Sequence, residues 1–334
     1  MPTIIYPPSI PWNWMFQRPQ QLLLQLSSLG YRVLYEDPRR FASPACQKLT
    51  PNFSLCQGMS ALSVPHSRPR ILWLTVPHHI GFISQYQPDL IVFDAVDEPK
   101  GEFSNWAPYY PEILKKSHLI FTSAQSIFNS LSGRHPNVHL IPNGVDFQQF
   151  RKAQPKPQDL PNSPNLVGYS GAIASWLNWE LLDFAVRENP EITFVFIGAL
   201  LKMSKFPLQR KNICYLGLKP YRQLPGYLQN VKMGLIPFRL TEMTKGCNPI
   251  KLYEYYAAGL PVLATPLPEL LDIPGIYLEN NPQQFSKRLA ALITESNFGL
   301  TERLTFAQEN DWSIRARQIY ELIEENIQLK IIKQ

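Results

Sequence analysis

The sequence predicts an α/β protein with two domains, each built on a parallel β-sheet. Short apolar runs recur along the 334 residues and alternate with amphipathic helical patterns, as in sheets that are covered by helices. A proline-rich stretch at 153–164 interrupts this alternation, and the apolar runs resume after it. We therefore predict a first domain over 1–152, a linker over 153–164 and a second domain over 165–313.

Composition and charge narrow the class of protein. The chain is 45% hydrophobic and 17% charged, which is typical of a soluble globular protein. Its net charge of +6 favours anionic partners, but the basic residues occur as scattered pairs, so nucleic acid is not predicted as a partner. The four cysteines lack C-x-x-C spacing, and we expect reduced thiols. Without a signal-peptide pattern or a long apolar run, we expect a cytoplasmic protein.

The predicted elements can be justified in chain order from their apolar runs. Strands of the first domain are expected at 3–6, 32–35, 71–76, 90–93, 119–122 and 138–141, and strands of the second at 166–169, 193–197, 213–216, 233–237 and 261–264. A helix over 17–29 has Pro19 in its first turn and stops at Gly30. A last amphipathic helix over 314–334 either caps the second domain or packs back on the first.

Polar clusters follow strands of the first domain, at the edge where parallel sheets bind ligands. The cluster after the first strand contains Trp12, Asn13, Trp14, Gln17 and Arg18. Its aromatic residues either cover an edge of the core or form a surface for an acceptor or a sugar ring.

Two further clusters contain histidines and carboxylates. His78 and His79 have no additional ligand at metal spacing, so no metal site is predicted. Asp94 ends an apolar strand and is the better candidate for a carboxylate that faces a cleft. Asp97 and Glu98 are expected to be solvated loop charges.

The stretch 241–265 combines a polar loop, a short helix, a glycine stop and a buried strand. Asn248 is predicted as the N-cap and Gly259 as the residue that ends the helix. Lys251 and Glu254 then share one face near the helix N-terminus, where a phosphate can bind beside Lys251 and hydroxyl groups can bond to Glu254. The alternative is an ordinary surface salt bridge between the two residues.

Seven segments together resemble a known family. They are 17–22 (QRPQQL), 93–97 (FDAVD), 141–146 (IPNGVD), 168–173 (GYSGAI), 215–221 (YLGLKPY), 235–238 (LIPF) and the stretch 241–265. Their order resembles retaining GT-B glycosyltransferases of family 4, especially the branch with teichuronic-acid-type sugar transferases. This resemblance implies two Rossmann-like domains that face each other across a cleft, with the donor on the second domain and the acceptor on the first.

The resemblance also implies roles for individual residues. The expected donor-binding residues are Gly171, Ala172, Gly217, Leu218, Lys219, Arg239, Asn248, Lys251 and Glu254, with Glu254 on the ribose hydroxyls. The expected acceptor-binding residues are Trp12, Asn13, Trp14, Gln17 and Arg18. Asp94, His78 and Lys251 are the catalytic candidates, with Asp94 or His78 orienting the acceptor during front-face attack.

The sequence departs from the family pattern at two places. Gly246 stands where the first of two paired glutamates is expected, and Trp176 and its neighbours replace the Arg and Lys that commonly hold the diphosphate. A catalytically inactive nucleotide-sugar-binding or scaffold relative is therefore the alternative to an enzyme.

The implied partners are a UDP- or GDP-linked sugar as co-substrate, and a polysaccharide, lipid-linked or small-molecule acceptor. No other cofactor and no metal is expected. Peripheral contact with the inner face of the membrane is compatible with the basic character of the chain.

Overall fold

Apolar runs without a polar face become strands that are buried on both sides, and this determines both sheets. β1 (Thr3–Tyr6) and β6 (Leu90–Ala95) are buried at every position, as expected for central strands of a parallel sheet. A computed structural model describes residues 1–294 and 299–332. Its residues divide into one unit of Met1–Pro142 with the helix that begins at Trp312, and a second unit of Asn143–Asp311.

The first unit contains an eight-stranded sheet with the order β3-β4-β2-β1-β5-β6-β7-β8. Besides β1 and β6, its strands are β2 (Arg32–Asp37), β3 (Ala45–Thr50), β4 (Phe53–Gln57), β5 (Arg70–Leu74), β7 (Leu119–Thr122) and β8 (Val138–Leu140). Its helices include α1 (Arg18–Ser28), α2 (Tyr110–Lys116) and α3 (Gln125–Ser132), and the segments Pro77–Tyr86 and Gly101–Tyr109 form 3-10 helices. All neighbouring strands are parallel except β3, which runs antiparallel to β4 at the edge.

The second unit contains a six-stranded parallel sheet with the order β11-β10-β9-β12-β13-β14. Its elements are α4 (Phe147–Arg151), β9 (Leu166–Ser170), α5 (Trp179–Glu188), β10 (Thr193–Ile197), β11 (Ile213–Tyr215), α6 (Leu224–Leu228), β12 (Met233–Ile236), α7 (Glu242–Lys245), α8 (Ile250–Ala257), β13 (Val262–Ala264), β14 (Ile276–Leu278), α9 (Pro282–Thr294) and α10 (Leu300–Glu309). The two sheets confirm the predicted α/β class.

The last helix, α11 (Trp312–Ile332), belongs to the first unit and packs against α1. The Tyr31 hydroxyl donates a hydrogen bond of 2.5 Å to Glu324 Oε1, and the rings of Tyr31 and Tyr320 lie 5.5 Å apart. Of the two placements considered for the terminal helix, the structure has the return to the first unit. The end of the predicted range, 333–334, lies outside the described residues.

The chain passes between the units at Pro142 and Asn143, before the segment 153–164 that was predicted as the linker. That segment lies within the second unit, where Leu160 is buried in the core and Asp159 pairs with Lys219. Its prolines limit regular structure, but they do not prevent one apolar side chain from anchoring the segment. Proline content therefore does not locate the boundary between the units.

Close packing of α8 on the sheet depends on one glycine. A Cβ built at Gly234 in β12 would lie 2.3 Å from Cδ2 of Tyr255 in α8, so only a residue without a side chain allows this ring to lie on the strand. The Tyr255 hydroxyl in turn accepts a hydrogen bond of 2.8 Å from the Ser170 N–H at the end of β9. The position of α8 is thereby tied to two neighbouring strands.

We expect Gly234→Ala to lower the free energy of unfolding by about 1–3 kcal/mol, because the added methyl group overlaps a ring that cannot retreat into space. Chemical denaturation followed by circular dichroism measures this loss. Gly133→Ala is the matched control, since a Cβ there meets nothing within 4 Å. Equal stability of the two variants would contradict the packing argument.

Candidate functional site

Three neighbouring strands of the second unit end at glycines that form a bare backbone edge. Gly171, Gly198 and Gly217 follow β9, β10 and β11 with φ of 135°, 153° and 70°. The Gly171 N–H donates to the Ile197 carbonyl at 2.8 Å, and the Gly198 N–H donates to the Gly217 carbonyl at 2.9 Å. A Cβ on Gly198 would lie 1.8 Å from the Gly171 oxygen. The absence of a side chain at Gly198 thus makes room for the Gly171 carbonyl, whereas a Cβ on Gly217 would meet nothing within 4 Å.

The ammonium group of Lys251 lies against the first of these glycines. A Cβ on Gly171 would be 3.2 Å from Lys251 Nζ. Nζ lies 4.6 Å from the ring centroid of Phe238 and 5.3 Å from that of Tyr169, which are cation–π distances. Within the part of the chain that the structure describes, Lys251 has no ion pair. Burial lowers its pKa, which marks a cation that lacks full compensation.

Glu254 lies one turn further along α8 and is buried. Burial raises its pKa to about 7, although the charge of Lys251 and a hydrogen bond from Tyr221 act in the opposite direction. The alternative of an exposed Lys251–Glu254 salt bridge is not what the described residues form. Both groups are instead buried, and burial disfavours the charged form of each.

The start of α8 is held by Asn248, but not as the predicted N-cap. The helix begins one residue later than that prediction requires, with Pro249 at the cap position. The Asn248 side-chain oxygen instead accepts hydrogen bonds from the Asn143 N–H and the Tyr253 hydroxyl, each at 3.1 Å. Asn143 Nδ2 also donates to the Asn248 carbonyl at 2.6 Å. Gly259 ends the helix with φ of 86°, as predicted.

The other predicted donor residues differ in how available they are. Ala172 is buried next to Gly171, and its carbonyl accepts a hydrogen bond from the Tyr169 hydroxyl. Leu218 is 44% exposed beside Gly217. Arg239 is exposed, and its backbone N–H donates to the Trp176 carbonyl.

Lys219 is already paired. Its Nζ lies 2.5 Å from Asp159 Oδ2, and the hydrogen bond to Asp159 raises the pKa of the lysine. A role for this residue toward a base would therefore be made through its backbone, as expected for Gly217–Lys219.

In the first unit, Arg18 and Asp94 form a buried ion pair. Arg18 Nε donates to the two Asp94 oxygens at 2.9 and 3.0 Å, and Nη1 donates to the Ile141 carbonyl at 2.8 Å. Asp94 is fully buried, so the expectation of a carboxylate that faces a cleft needs correction. A carboxylate at this depth requires a partner, and Arg18 in the first turn of α1 provides it.

The remaining residues of the first polar cluster divide between core and surface. Trp12 packs edge-on against Phe16 and Tyr35, with centroid distances of 5.2 Å, and thus covers an edge of the core. Asn13 is exposed, Trp14 is partly buried, and the Gln17 N–H donates to Gln20 Oε1 at the start of α1. Asn13 is the exposed member of this cluster, whereas Trp12, Trp14 and Gln17 are partly buried and Arg18 is buried.

His78 is exposed on the 3-10 helix Pro77–Tyr86, with its ring 6.1 Å from that of Tyr109. His79 is buried, and burial lowers its pKa to about 4. Asp97, expected as a solvated charge, is partly buried, and desolvation raises its pKa to about 7. These groups follow β5 and β6, which are neighbours in the sheet.

Over the described residues, no group of three or more His, Cys, Asp and Glu side chains is arranged to hold a metal ion. None of the described helices has the length and apolar character needed to cross a membrane.

Comparison with known proteins identifies the second unit. Residues 166–295 match the family described as glycosyl transferases group 1. This region is a group 1 glycosyl transferase domain. The chain is also 24% identical over 278 residues to TuaH of Bacillus subtilis strain 168, provisionally named a teichuronic acid biosynthesis glycosyltransferase, with coverage of 74% of this chain and 70% of TuaH. These matches confirm the predicted resemblance to glycosyltransferases.

Solved structures confirm the GT-B fold. Sucrose-phosphate synthase from Thermosynechococcus elongatus matches with a TM-score of 0.74 at 13% identity, over 98% of this chain and 100% of the other. Anabaena HepE in complex with UDP and glucose matches with a TM-score of 0.71 at 14% identity, over 97% and 100%. An E. coli trehalose-6-phosphate protein bound to UDP-2-fluoro glucose matches with a TM-score of 0.70 at 12% identity, over 96% and 99%.

Sequence reasoning missed several residues around Lys251 in this glycosyl transferase domain. Tyr169, Phe238 and Asn143 appeared only within the segments 168–173, 235–238 and 141–146, and Gly198 was not singled out. Gly198 carries a usable signal, because it ends an apolar run as Gly171 does. The two aromatic rings carry none, since their contact with Lys251 follows from strand order.

We expect Glu254→Gln to stabilise the protein above neutral pH. The folded chain holds the Glu254 proton more tightly than the unfolded chain, so the free energy of unfolding falls as the pH rises from 4.5 to about 7. The substitution removes the cost of ionising the buried carboxyl group, so we expect the free energy of unfolding to rise by up to about 3 kcal/mol at about pH 8. At about pH 4, where Glu254 is protonated, we expect little change. Chemical denaturation at both pH values measures the difference.

Glu191→Gln is the control for this prediction, because Glu191 is exposed in the same unit. A stability gain for Glu254→Gln that is the same at acid and alkaline pH would refute the buried-charge explanation.

Proposed function

We propose that this protein is a retaining glycosyltransferase of the hexosyltransferase type, which uses a UDP- or GDP-linked sugar and needs no metal or other cofactor. The observation that carries this proposal is the uncompensated ammonium of Lys251 beside the backbone edge at Gly171. In this proposal an anion is the partner of that group, and a diphosphate fits because the N-terminus of α8 adds partial positive charge beside Lys251.

The same features support a role in the chemical step. Glycosyl transfer develops negative charge on the leaving diphosphate, and a fixed cation with little access to water stabilises that charge more strongly than a solvated one. The rings of Tyr169 and Phe238 restrict where the ammonium of Lys251 can lie. In this proposal Glu254 accepts hydrogen bonds from the ribose hydroxyls, while Gly217, Leu218 and the backbone of Lys219 contact the base.

The acceptor side of the proposal rests on the first unit. We assign Asn13 and Trp14 to acceptor contact and His78 to orienting the acceptor, because these residues are at least partly accessible. Trp12, Gln17 and Arg18 support this surface from below, and Asp94 acts through Arg18. The name of TuaH favours a polysaccharide acceptor, and a lipid-linked acceptor would bring the protein into peripheral contact with the inner face of the membrane.

Retention follows, in this proposal, from front-face attack in which the leaving phosphate accepts the proton of the acceptor hydroxyl. No protein nucleophile is then required. Domain closure around both substrates would exclude water and limit hydrolysis of the donor.

A nucleotide-sugar-binding protein without turnover is the competing function, and Gly246 is the observation that favours it. Gly246 ends α7, and the nearest acidic side chain, Glu242, is exposed and paired with Lys245. Such a protein would bind a nucleoside diphosphate in the same way but transfer no sugar.

We expect UDP or GDP to raise the thermal midpoint of the wild type and Lys251→Ala to weaken that binding by about 10-fold to 100-fold, as for a lost charged hydrogen bond. A thermal-shift panel of nucleoside diphosphates and nucleotide sugars, followed by calorimetry, measures this effect. Lys245→Ala is the matched control, because Lys245 is 53% exposed and pairs with Glu242. Binding that is equally tight in both variants would refute the role of Lys251.

The product of transfer tests the mechanism. We expect its anomeric configuration, read by NMR, to match that of the donor, and the transfer rate to be unchanged after chelation with EDTA. Inversion would exclude front-face attack. Loss of activity on chelation and recovery with a divalent cation would exclude a metal-free reaction, and donor binding without any turnover would select the competing function.

A further inference from the structure

Two cysteines outside the proposed donor and acceptor sites face each other at the edge of the first sheet. Cys46 in β3 and Cys56 in β4 are direct partners in the antiparallel register of these strands. Both are free thiols, and Cys46 is exposed whereas Cys56 is buried. The two cysteines are ten positions apart in the sequence, and the antiparallel pairing of β3 with β4 brings them together.

The separation of the two residues suits a covalent bond. Opposite residues in an antiparallel pair have Cα atoms about 4.5–5.5 Å apart, which lies inside the range of about 4.4–6.8 Å found in disulfides. The two thiols are already close enough to share a hydrogen bond. The register thus places the two thiols side by side on adjacent strands.

The environments of the two thiols differ, and this difference determines which thiol reacts first. Burial raises the pKa of Cys56 to about 12, and Cys46 and Glu36 act in the same direction. Cys56 belongs to the apolar core that includes Ile5 and Leu34. Reagents in solution therefore reach Cys46 first, while Cys56 is accessible only to a sulfur that is already attached next to it.

We propose that Cys46 and Cys56 are a reversible modification site, at which a low-molecular-weight disulfide converts the two thiols into one intramolecular disulfide. The Cys46 thiolate attacks one sulfur of the reagent, forms a mixed disulfide and releases one small thiol. The Cys56 sulfur, after losing its proton, then attacks the sulfur of Cys46 and releases the second small thiol. Two electrons pass from the protein to the reagent, which ends as two thiols.

The consequence is a covalent fastening of the edge strand. β3 lies at one end of the sheet order, where β4 is its single neighbour among the described residues, and its first four residues are exposed. An edge strand held by one neighbour opens easily and offers free backbone groups to other chains. A bond between β3 and β4 suppresses that opening. This inference does not depend on the proposed transferase activity.

The test treats the purified, reduced full-length chain with oxidised glutathione and maps its peptides by mass spectrometry. We expect a peptide pair joined through Cys46 and Cys56 that has lost two hydrogens and is restored by dithiothreitol. Amide exchange in β3 should slow by roughly 10-fold in the oxidised form. Cys46→Ser should abolish the joined pair, whereas Cys214→Ser should leave it intact.

Other products would overturn the inference. Glutathione adducts that persist on Cys46 without closing onto Cys56, or dimers joined through Cys46 of two chains, would each show that the pair does not react internally. Unchanged exchange in β3 after complete closure would refute the fastening of the edge. Because Cys46 is exposed, Cys46→Ser should fold even if Cys56→Ser does not.

Discussion

The ammonium group of Lys251 lies near the rings of Tyr169 and Phe238 and forms no ion pair among the described residues, and contacts of α8 within the second unit hold it there. Ring faces attract a cation, but they return only part of the free energy of hydration that burial removes. The lowered pKa of Lys251 reflects the free energy of hydration that is not recovered. α8 cannot relieve this cost by moving, because Tyr255 ties it to Ser170 and Asn248 ties its start to Asn143. The buried ammonium group therefore stays next to Gly171, where a bound anion would offset its desolvation cost.

The buried ion pair of the first unit has the opposite electrostatic character. Both oxygens of Asp94 receive hydrogen bonds from Arg18 Nε, and Arg18 Nη1 donates to the carbonyls of Ile141 and Pro142. The two charges of this pair neutralise each other, and loss of one partner would leave a buried charge. Its place at the end of β8 fixes the chain immediately before it leaves the unit. The Arg18–Asp94 pair thus stabilises the first unit, whereas Lys251 in the second unit forms no ion pair among the described residues.

The sequence predicted the central strands of both sheets but missed β3, β4 and β14. Central strands such as β6 were found because apolar side chains fill both faces. The edge strand β3 was missed, because its exposed side chains give no periodic signal and its pairing depends on β4. In the same way Lys251 and Glu254 could be selected from one helix. The partner of Asp94 lies 76 positions away, so only the fold reveals that this carboxylate is enclosed.

The loop around Gly246 and the helix that carries Glu254 are held in place by different contacts. Thr241 caps α7, and the Gly246 N–H donates to the Met243 carbonyl at 3.2 Å, so position 246 completes a helix end and carries no carboxylate. Glu254, by contrast, is placed by α8, whose position is set by Gly234 and Tyr255 in the sheet core. Substitutions in the loop leave those constraints untouched. Under the proposed assignment, substitutions in the loop at position 246 therefore leave the packing that positions Lys251 and Glu254 for the nucleotide intact.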